Sequence, residues 1–258
     1  MALIRCDFFA ESLMLGTSMT VLLPQPAAAQ IGMDGTPAGG PPPVLYLLHG
    51  LSDDDTAWTR YTSIERYAAA KGLAVVMPQA HRSFYADEAR GGKFWTFLSE
   101  ELPQVVERFF RVSTRREDTF VAGLSMGGYG ALKWAFRQPQ RFAAAASLSG
   151  ALDAAYLQRL DLRPHMRELT GRVFGDRDVQ GGPDDLLHLA ATADPARLPG
   201  LLLRCGQQDP LLAQNERFVQ ACAKQGIELN SGFGPGAHEW GYWDREIQTV
   251  LDWLPIQP

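Results

Sequence analysis

From residue 44 onwards, short apolar runs alternate with longer stretches whose apolar residues recur every three or four positions. The continuous apolar run at 44–48 has the pattern of a strand buried on both faces, and 73–77, 119–123, 142–149, 201–205 and 227–233 read as further strands. The stretches at 57–71, 96–110, 127–137, 184–191, 210–225 and 239–254 carry helical spacing. Gly72 and Gly226 stand where the helices 57–71 and 210–225 should stop. Pro103 is compatible with the helix over 96–110 only near its start. Strand and helix in alternation predict an α/β fold, a mostly parallel sheet covered by helices on both faces.

Three segments depart from this rhythm. Residues 1–23 read as two strands with no helix between them, turning near Leu15-Gly16-Thr17, and should add an antiparallel edge. The Ala27-Ala28-Ala29 run imitates a cleavage site, but Gly16, Thr17 and Ser18 interrupt the apolar stretch before it, so a pair of strands is expected rather than a signal peptide. Residues 24–43 are rich in Pro, Gly and Ala and read as a surface loop. Between 151 and 199 the apolar period is lost, and a lid or cap over the sheet edge is expected within an otherwise single domain covering 1–258.

Composition narrows the partners. The 24 basic and 29 acidic residues are spread along the chain, for a net charge of −5, and no basic cluster suggests nucleic acid. No stretch approaches the roughly 18 apolar residues of a membrane span. Cys6, Cys205 and Cys222 are odd in number and lack metal or redox spacing, so no metal, no cofactor and no disulfide framework is expected. A reducing compartment, the cytoplasm, is the simplest setting. Association with further copies of the chain stays open.

The candidate chemistry centres on Gly123-Leu124-Ser125-Met126-Gly127, a G-x-S-x-G pattern lying between a strand and a helix. A serine on such a sharp turn projects its hydroxyl clear of the backbone, and glycines are needed where strand and helix press together. The helix N-terminus beside it favours developing negative charge. A serine hydroxyl needs a base, and the base needs an orienting acid. Among His49, His81, His165, His188 and His238, the last follows a strand through Gly234-Pro235-Gly236-Ala237 and is the candidate base. Asp209, directly after the strand 201–205, is the candidate acid, although an aspartate before Pro210 would also make a good helix cap; Asp178 and Asp194 follow no strand of the sheet. The order Ser125, Asp209, His238 matches that of an α/β-hydrolase triad. The oxyanion should meet the backbone N–H of Met126 and that of Leu51, after His49-Gly50, with His49 fixing the loop by hydrogen bonding. Large aromatics crowd the neighbouring loops, and Trp58, Tyr85 and Trp240, with Phe84, are candidate walls of a short acyl pocket.

The runs Val44-Leu45-Tyr46-Leu47-Leu48-His49-Gly50, Glu100-Glu101-Leu102-Pro103-Gln104, Gly123 to Gly130, Ser149-Gly150-Ala151 and His238-Glu239-Trp240 together resemble the esterase D-like branch of the α/β hydrolases. The likeness is strongest to bacterial tributyrin esterases, with S-formylglutathione hydrolases as cousins, and covers nearly the whole chain. It implies the α/β-hydrolase fold and a serine carboxylesterase that cleaves short-chain acyl esters through an acyl-enzyme, with Ser125, Asp209 and His238 as triad. A thioesterase of S-formylglutathione or a carbohydrate acetyl esterase could run on the same triad, and a non-catalytic binding protein is the reading from a different class. S-formylglutathione hydrolases tend to carry histidine where this chain has Tyr129, which favours the simple ester.

Overall fold

A computed structural model describes every residue except 27–28, 33–34, 36–38, 160–163 and 257–258. The expected loop at 24–43 and the expected cap at 151–199 therefore fall partly outside the described residues.

Among the described residues, eight strands make one sheet: β1 Ala2–Ala10, β2 Leu15–Leu23, β3 Val44–Leu48, β4 Ala74–Pro78, β5 Thr119–Leu124, β6 Ala144–Leu148, β7 Gly200–Gly206 and β8 Asn230–Gly234. Their spatial order is β1-β2-β4-β3-β5-β6-β7-β8. β1 with β2, and β2 with β4, run antiparallel, and every later pair is parallel, so the N-terminal hairpin does form an antiparallel edge. The helices are α1 Ala57–Tyr61, α2 Ile64–Ala70, α3 Phe94–Thr96, α4 Leu102–Phe109, α5 Met126–Arg137, α6 Ala154–Arg159, α7 Pro164–Val173, α8 Leu186–Thr192, α9 Leu212–Gln225 and α10 Trp240–Trp253.

The strict period of two along each strand divides the core between the two faces of the sheet. Val44, Tyr46 and Leu48 of β3 pack with residues of α4, α5, α8 and α9. Leu45 and Leu47 of the same strand pack with residues of α1, α2 and α10. The tightest approach is at the centre, where all residues of α5 but its last are buried against the sheet.

Several boundaries differ from the sequence reading. The hairpin turns at Glu11–Met14, ahead of Leu15, and Gly16 lies inside the ladder opposite Phe9. What fixes the turn is remote in sequence: the carboxylate of Glu101 accepts the backbone N–H groups of Glu11 (2.7 Å) and Ser12 (2.9 Å) and the Ser12 hydroxyl. The expected helix 57–71 is two, α1 and α2, separated at Thr62-Ser63. Around Pro103 the helix continues through a π turn, Phe97–Glu101. Pro103 cannot donate to the Ser99 carbonyl four residues back, which instead accepts from Arg141 Nη2 at 3.3 Å.

The segment 151–199 has two parts. α8 belongs to the helix layer, against α5 and α9. α7 leans on the loop after β4, where the N–H groups of Ala89 and Arg90 donate to the carbonyls of Val173 (2.8 Å) and Arg172 (3.0 Å) and Phe84 packs on Phe174.

Candidate active site

The turn from β5 into α5 carries Ser125 at φ 53°, ψ −116°, a conformation that costs energy for any side chain except glycine. The surroundings hold it there. Ser125 N–H donates to the Leu148 carbonyl at the end of β6 (2.9 Å), and the Ser125 carbonyl accepts from Ala151 N–H (3.0 Å) and Tyr129 N–H (3.1 Å). The flanking glycines are required by space. A Cβ on Gly123 would strike the backbone of Gly127, and one on Gly127 would strike the Leu48 carbonyl at the end of β3.

Asp209 and His238 arrive from the loops after β7 and β8, which are tied to each other. Gln207 N–H donates to the Gly234 carbonyl (2.8 Å), Gln208 N–H to the Gly236 carbonyl (2.9 Å), and Gly236 N–H to the Gln208 side-chain oxygen (2.9 Å). Gly236 sits at φ 149°, and a Cβ on Gly206 would meet its carbonyl, so the two loops touch backbone to backbone. The result is a continuous chain: Asp209 Oδ2 to His238 Nδ1 is 2.9 Å, and His238 Nε2 to Ser125 Oγ is 3.0 Å. The other carboxylate oxygen of Asp209 accepts the Leu211 N–H at 2.8 Å, so the same residue also caps the following turn. Sequence reasoning set those two uses of Asp209 against each other; its two oxygens allow both.

Burial alone would push the Asp209 carboxyl up, but hydrogen bonds from His238 and the Leu211 N–H outweigh it and hold the group below the ordinary carboxylate range. An ionised Asp209 accepts the Nδ1 proton, which leaves the Nε2 lone pair facing the Ser125 hydroxyl. The imidazole packs edge-on against Trp243, with ring centroids 4.9 Å apart, and its side chain is 28% exposed, so the far end of the chain can be reached from solvent.

Met126 is the first residue of α5, and helix-start N–H groups have no partner within their own helix. Leu51 follows β3 in a loop that lies on the elbow, where a Cβ on Gly50 would fall 2.7 Å from Leu124 Cδ1. His49 builds that loop. It is buried, its Nε2 accepts Ala80 N–H at 3.0 Å, and its Nδ1–H therefore donates to the Gly50 carbonyl at 2.7 Å. Burial pushes its proton affinity down, in keeping with a neutral ring.

The candidate pocket aromatics are placed unevenly. Trp58 is 1% exposed, donates its Nε1–H to the Leu48 carbonyl (3.2 Å) and packs edge-on against Trp240. Tyr85 is fully buried, with its hydroxyl donating to the His49 carbonyl at 2.9 Å and its ring against Gly130, where a Cβ would come within 2.5 Å. Phe84 is buried as well. Trp58 and Tyr85 therefore support the end of β3 and the loop after it from below, Phe84 is enclosed beside Tyr85, and Trp240 alone of the four is partly exposed. The expectation that all four rings line an open rim is corrected to that extent, because apolar rings of this size gain more by packing under the loops than by standing over them.

A second buried cluster had no clear sequence signal. Lys133 on α5 is 0% exposed, and its ammonium donates to the carbonyls of Tyr85 (2.7 Å) and Phe84 (3.3 Å) and to Asp184 Oδ1 (3.0 Å). Tyr129, four residues earlier and so on the same helix face, donates its hydroxyl to the Asp184 carbonyl at 2.7 Å. Phe84 and Tyr85 both have positive φ, 50° and 48°, and Lys133 is the donor that holds this strained pair. The only hint in the sequence is a lysine within an otherwise apolar stretch of helix.

A mostly parallel sheet covered by helices, a strained serine between β5 and α5, and loops after β7 and β8 converging on it define an α/β hydrolase. The Esterase family, described as "Putative esterase", matches residues 12–254, and the chain belongs to it. It is a serine-dependent carboxylic ester hydrolase. An acetyl esterase of Caldicellulosiruptor saccharolyticus is 27% identical, with 98% of each chain covered. Among solved structures, the fluorophosphonate-binding serine hydrolase FphF of Staphylococcus aureus, in a substrate-bound form, is 34% identical with a TM-score of 0.88 over 99% of both chains. An S-formylglutathione hydrolase from Staphylococcus aureus is also 34% identical, with a TM-score of 0.84 over 98% of both.

Proposed function

We propose that the protein hydrolyses short-chain acyl esters by way of an acyl-enzyme on Ser125. The observation that carries this reading is the unbroken chain from Asp209 through His238 to the Ser125 hydroxyl, 2.9 and 3.0 Å, on a strained elbow. Ser125 Oγ attacks the ester carbonyl carbon while its proton passes to His238 Nε2. The N–H groups of Met126 and Leu51 stabilise the oxyanion that forms. As the tetrahedral intermediate collapses, the carbon–oxygen bond to the alcohol breaks and the alcohol leaves with the proton from Nε2. Water then enters, gives a proton to Nε2, and releases the acid by the same steps. No step calls on a metal or cofactor.

The chain works as one domain in this reading, because all three residues sit on loops of one sheet. α6 and α7 form the cap over the loop that carries Tyr85, and Trp240 borders the acyl site. Acetyl to butyryl chains are the preferred acyl groups, an expectation supported by the likeness to an acetyl esterase. The likeness to an S-formylglutathione hydrolase favours a second reading as a thioesterase. The Tyr129 hydroxyl is buried on the Asp184 carbonyl and does not reach a substrate, so the choice between ester and thioester rests on measured rates. A cytoplasmic setting fits three cysteines that are all free.

The test is kcat/KM across C2 to C12 nitrophenyl esters beside S-formylglutathione, with a fluorophosphonate to mark the nucleophile. The expected result is an optimum at or below C4, a weaker thioester rate and labelling at Ser125. An optimum at C8 or beyond overturns the short-chain reading, a dominant thioester rate replaces the ester, and labelling at Ser147 or Ser149 removes Ser125.

A further inference from the structure

β1 forms one border of the sheet, and its outer backbone edge pairs with no strand among the described residues. Such edges are ordinarily kept short or blunted with charged side chains, proline or a bulge, since unpaired N–H and C=O groups invite another strand. Of these devices β1 carries only Arg5 and Asp7, two charges of opposite sign. It is nine residues long, contains neither proline nor lysine, and pairs with β2 without interruption from Ala2↔Leu23 to Ala10↔Leu15.

Its outward residues have a particular order. Leu3, Arg5, Asp7 and Phe9 share one face and are all exposed, with Leu3 at 54% and Phe9 at 58%. The sequence apolar, cation, anion, apolar is symmetric about Cys6. We propose that two copies of the chain associate by antiparallel pairing of β1 with β1 across a two-fold axis at Cys6, which joins both sheets into one.

In that register Leu3 faces Phe9 of the other copy and Arg5 faces its Asp7, and the two-fold axis makes each contact twice. On the other face of the sheet Ile4 faces Phe8, which lines one groove with the exposed Phe109 of α4. Moving the axis to residue 5 would set Arg5 against Arg5, and moving it to residue 7 would set Asp7 against Asp7, so the charges favour the axis at Cys6 over both neighbouring registers. Within one copy Arg5 already lies near Asp7 Oδ2 (3.4 Å) and Asp55 Oδ2 (3.5 Å). A guanidinium has five N–H donors, enough to keep Asp55 and meet a second carboxylate.

The experiment is sedimentation equilibrium of the full chain and its charge-reversed variants, with circular dichroism and nitrophenyl acetate turnover as fold controls. Wild type is expected as a dimer at micromolar concentration. Asp7→Arg, which keeps the Arg5–Asp55 contact, opposes guanidinium groups at both pairs and should weaken association by about tenfold or more. Arg5→Asp should do the same, and Arg5→Asp with Asp7→Arg should restore the dimer because it exchanges the partners without losing the pairs. A monomeric wild type overturns the proposal. So does a dimer that survives Asp7→Arg, or a folded double variant that stays monomeric; should Arg5→Asp fail to fold, Asp7→Arg and the double variant still decide.

Discussion

Asp209 and Asp184 are both buried carboxylates that receive hydrogen bonds from basic side chains, yet the two chains of contacts end differently. From Asp209 the path runs through an imidazole to the Ser125 hydroxyl, and the imidazole is 28% exposed. From Asp184 it runs through the ammonium of Lys133, which is 0% exposed, to the carbonyls of Phe84 and Tyr85. An imidazole can take and return a proton near neutral pH, whereas an enclosed ammonium between a carboxylate and two carbonyls holds a fixed charge in place. The first arrangement has the geometry to pass a proton and the second holds a backbone. They meet at the loop after β3: Lys133 fixes Tyr85, the Tyr85 hydroxyl holds the His49 carbonyl, and His49 braces Gly50 next to Leu51.

The largest expected effect breaks the first chain at its reactive end. Ser125→Ala should leave the protein folded and lower turnover by roughly 10⁶-fold, measured by steady-state kinetics beside circular dichroism. Asp209→Asn should lower kcat by about 10⁴, through loss of the tautomer that points the Nε2 lone pair at Ser125. If thermal stability falls and turnover does not, Asp209 is only the cap on Leu211.

Lys133→Met cuts the second chain and leaves Asp184 unpaired in the interior. It should lower unfolding free energy by about 3–5 kcal/mol in urea titrations. Turnover per folded molecule should fall far less than in either triad variant, and a loss as large as that of Asp209→Asn would erase the distinction between moving and holding.

Acid separates the pair from its uncharged replacement. Burial opposes ionisation of Asp184, but Lys133 wins and holds the carboxyl below its usual range. A carboxyl whose folded pKa is lowered adds stability that is complete above its unfolded value, about 3.9, and is lost as pH falls through the folded value. The Tm gap between wild type and Asp184→Asn should therefore be constant from neutral pH down to about 4 and close below it. A gap that widens with acid has the sign wrong.

The smallest effect probes the link between the two chains. Tyr85→Phe removes only the hydrogen bond to the His49 carbonyl, worth about 1 kcal/mol, so kcat should drop by up to about tenfold with KM little changed. A change in KM alone would show that Tyr85 shapes binding instead of the oxyanion loop.

Much of this was legible along the chain because it depends on neighbours in sequence. The continuous apolar run 44–48 and the alternation of strand and helix determine a parallel core, and Gly123 and Gly127 around Ser125 record how closely β5, α5 and β3 must approach. Candidate triad residues could be named because each follows a strand, and parallel strands deliver such loops to one edge. Distances between loops were beyond reach of the sequence: the backbone ties of Gln207 and Gln208 to Gly234 and Gly236 depend on two segments that meet only after β7 and β8 pair. The same holds for Glu101 closing the N-terminal hairpin 90 residues away, which moved the turn from Gly16 to Glu11–Met14. It holds as well for Lys133, which reads as a misplaced charge in an apolar helix until Asp184 and two strained carbonyls surround it. Trp58 and Tyr85 show the limit on side-chain reading, since an aromatic next to a candidate site loop in sequence can stand over it or lie beneath it. Local propensity and periodicity act within a few residues, whereas burial of a ring or pairing of a charge is decided by whatever the completed fold brings to it.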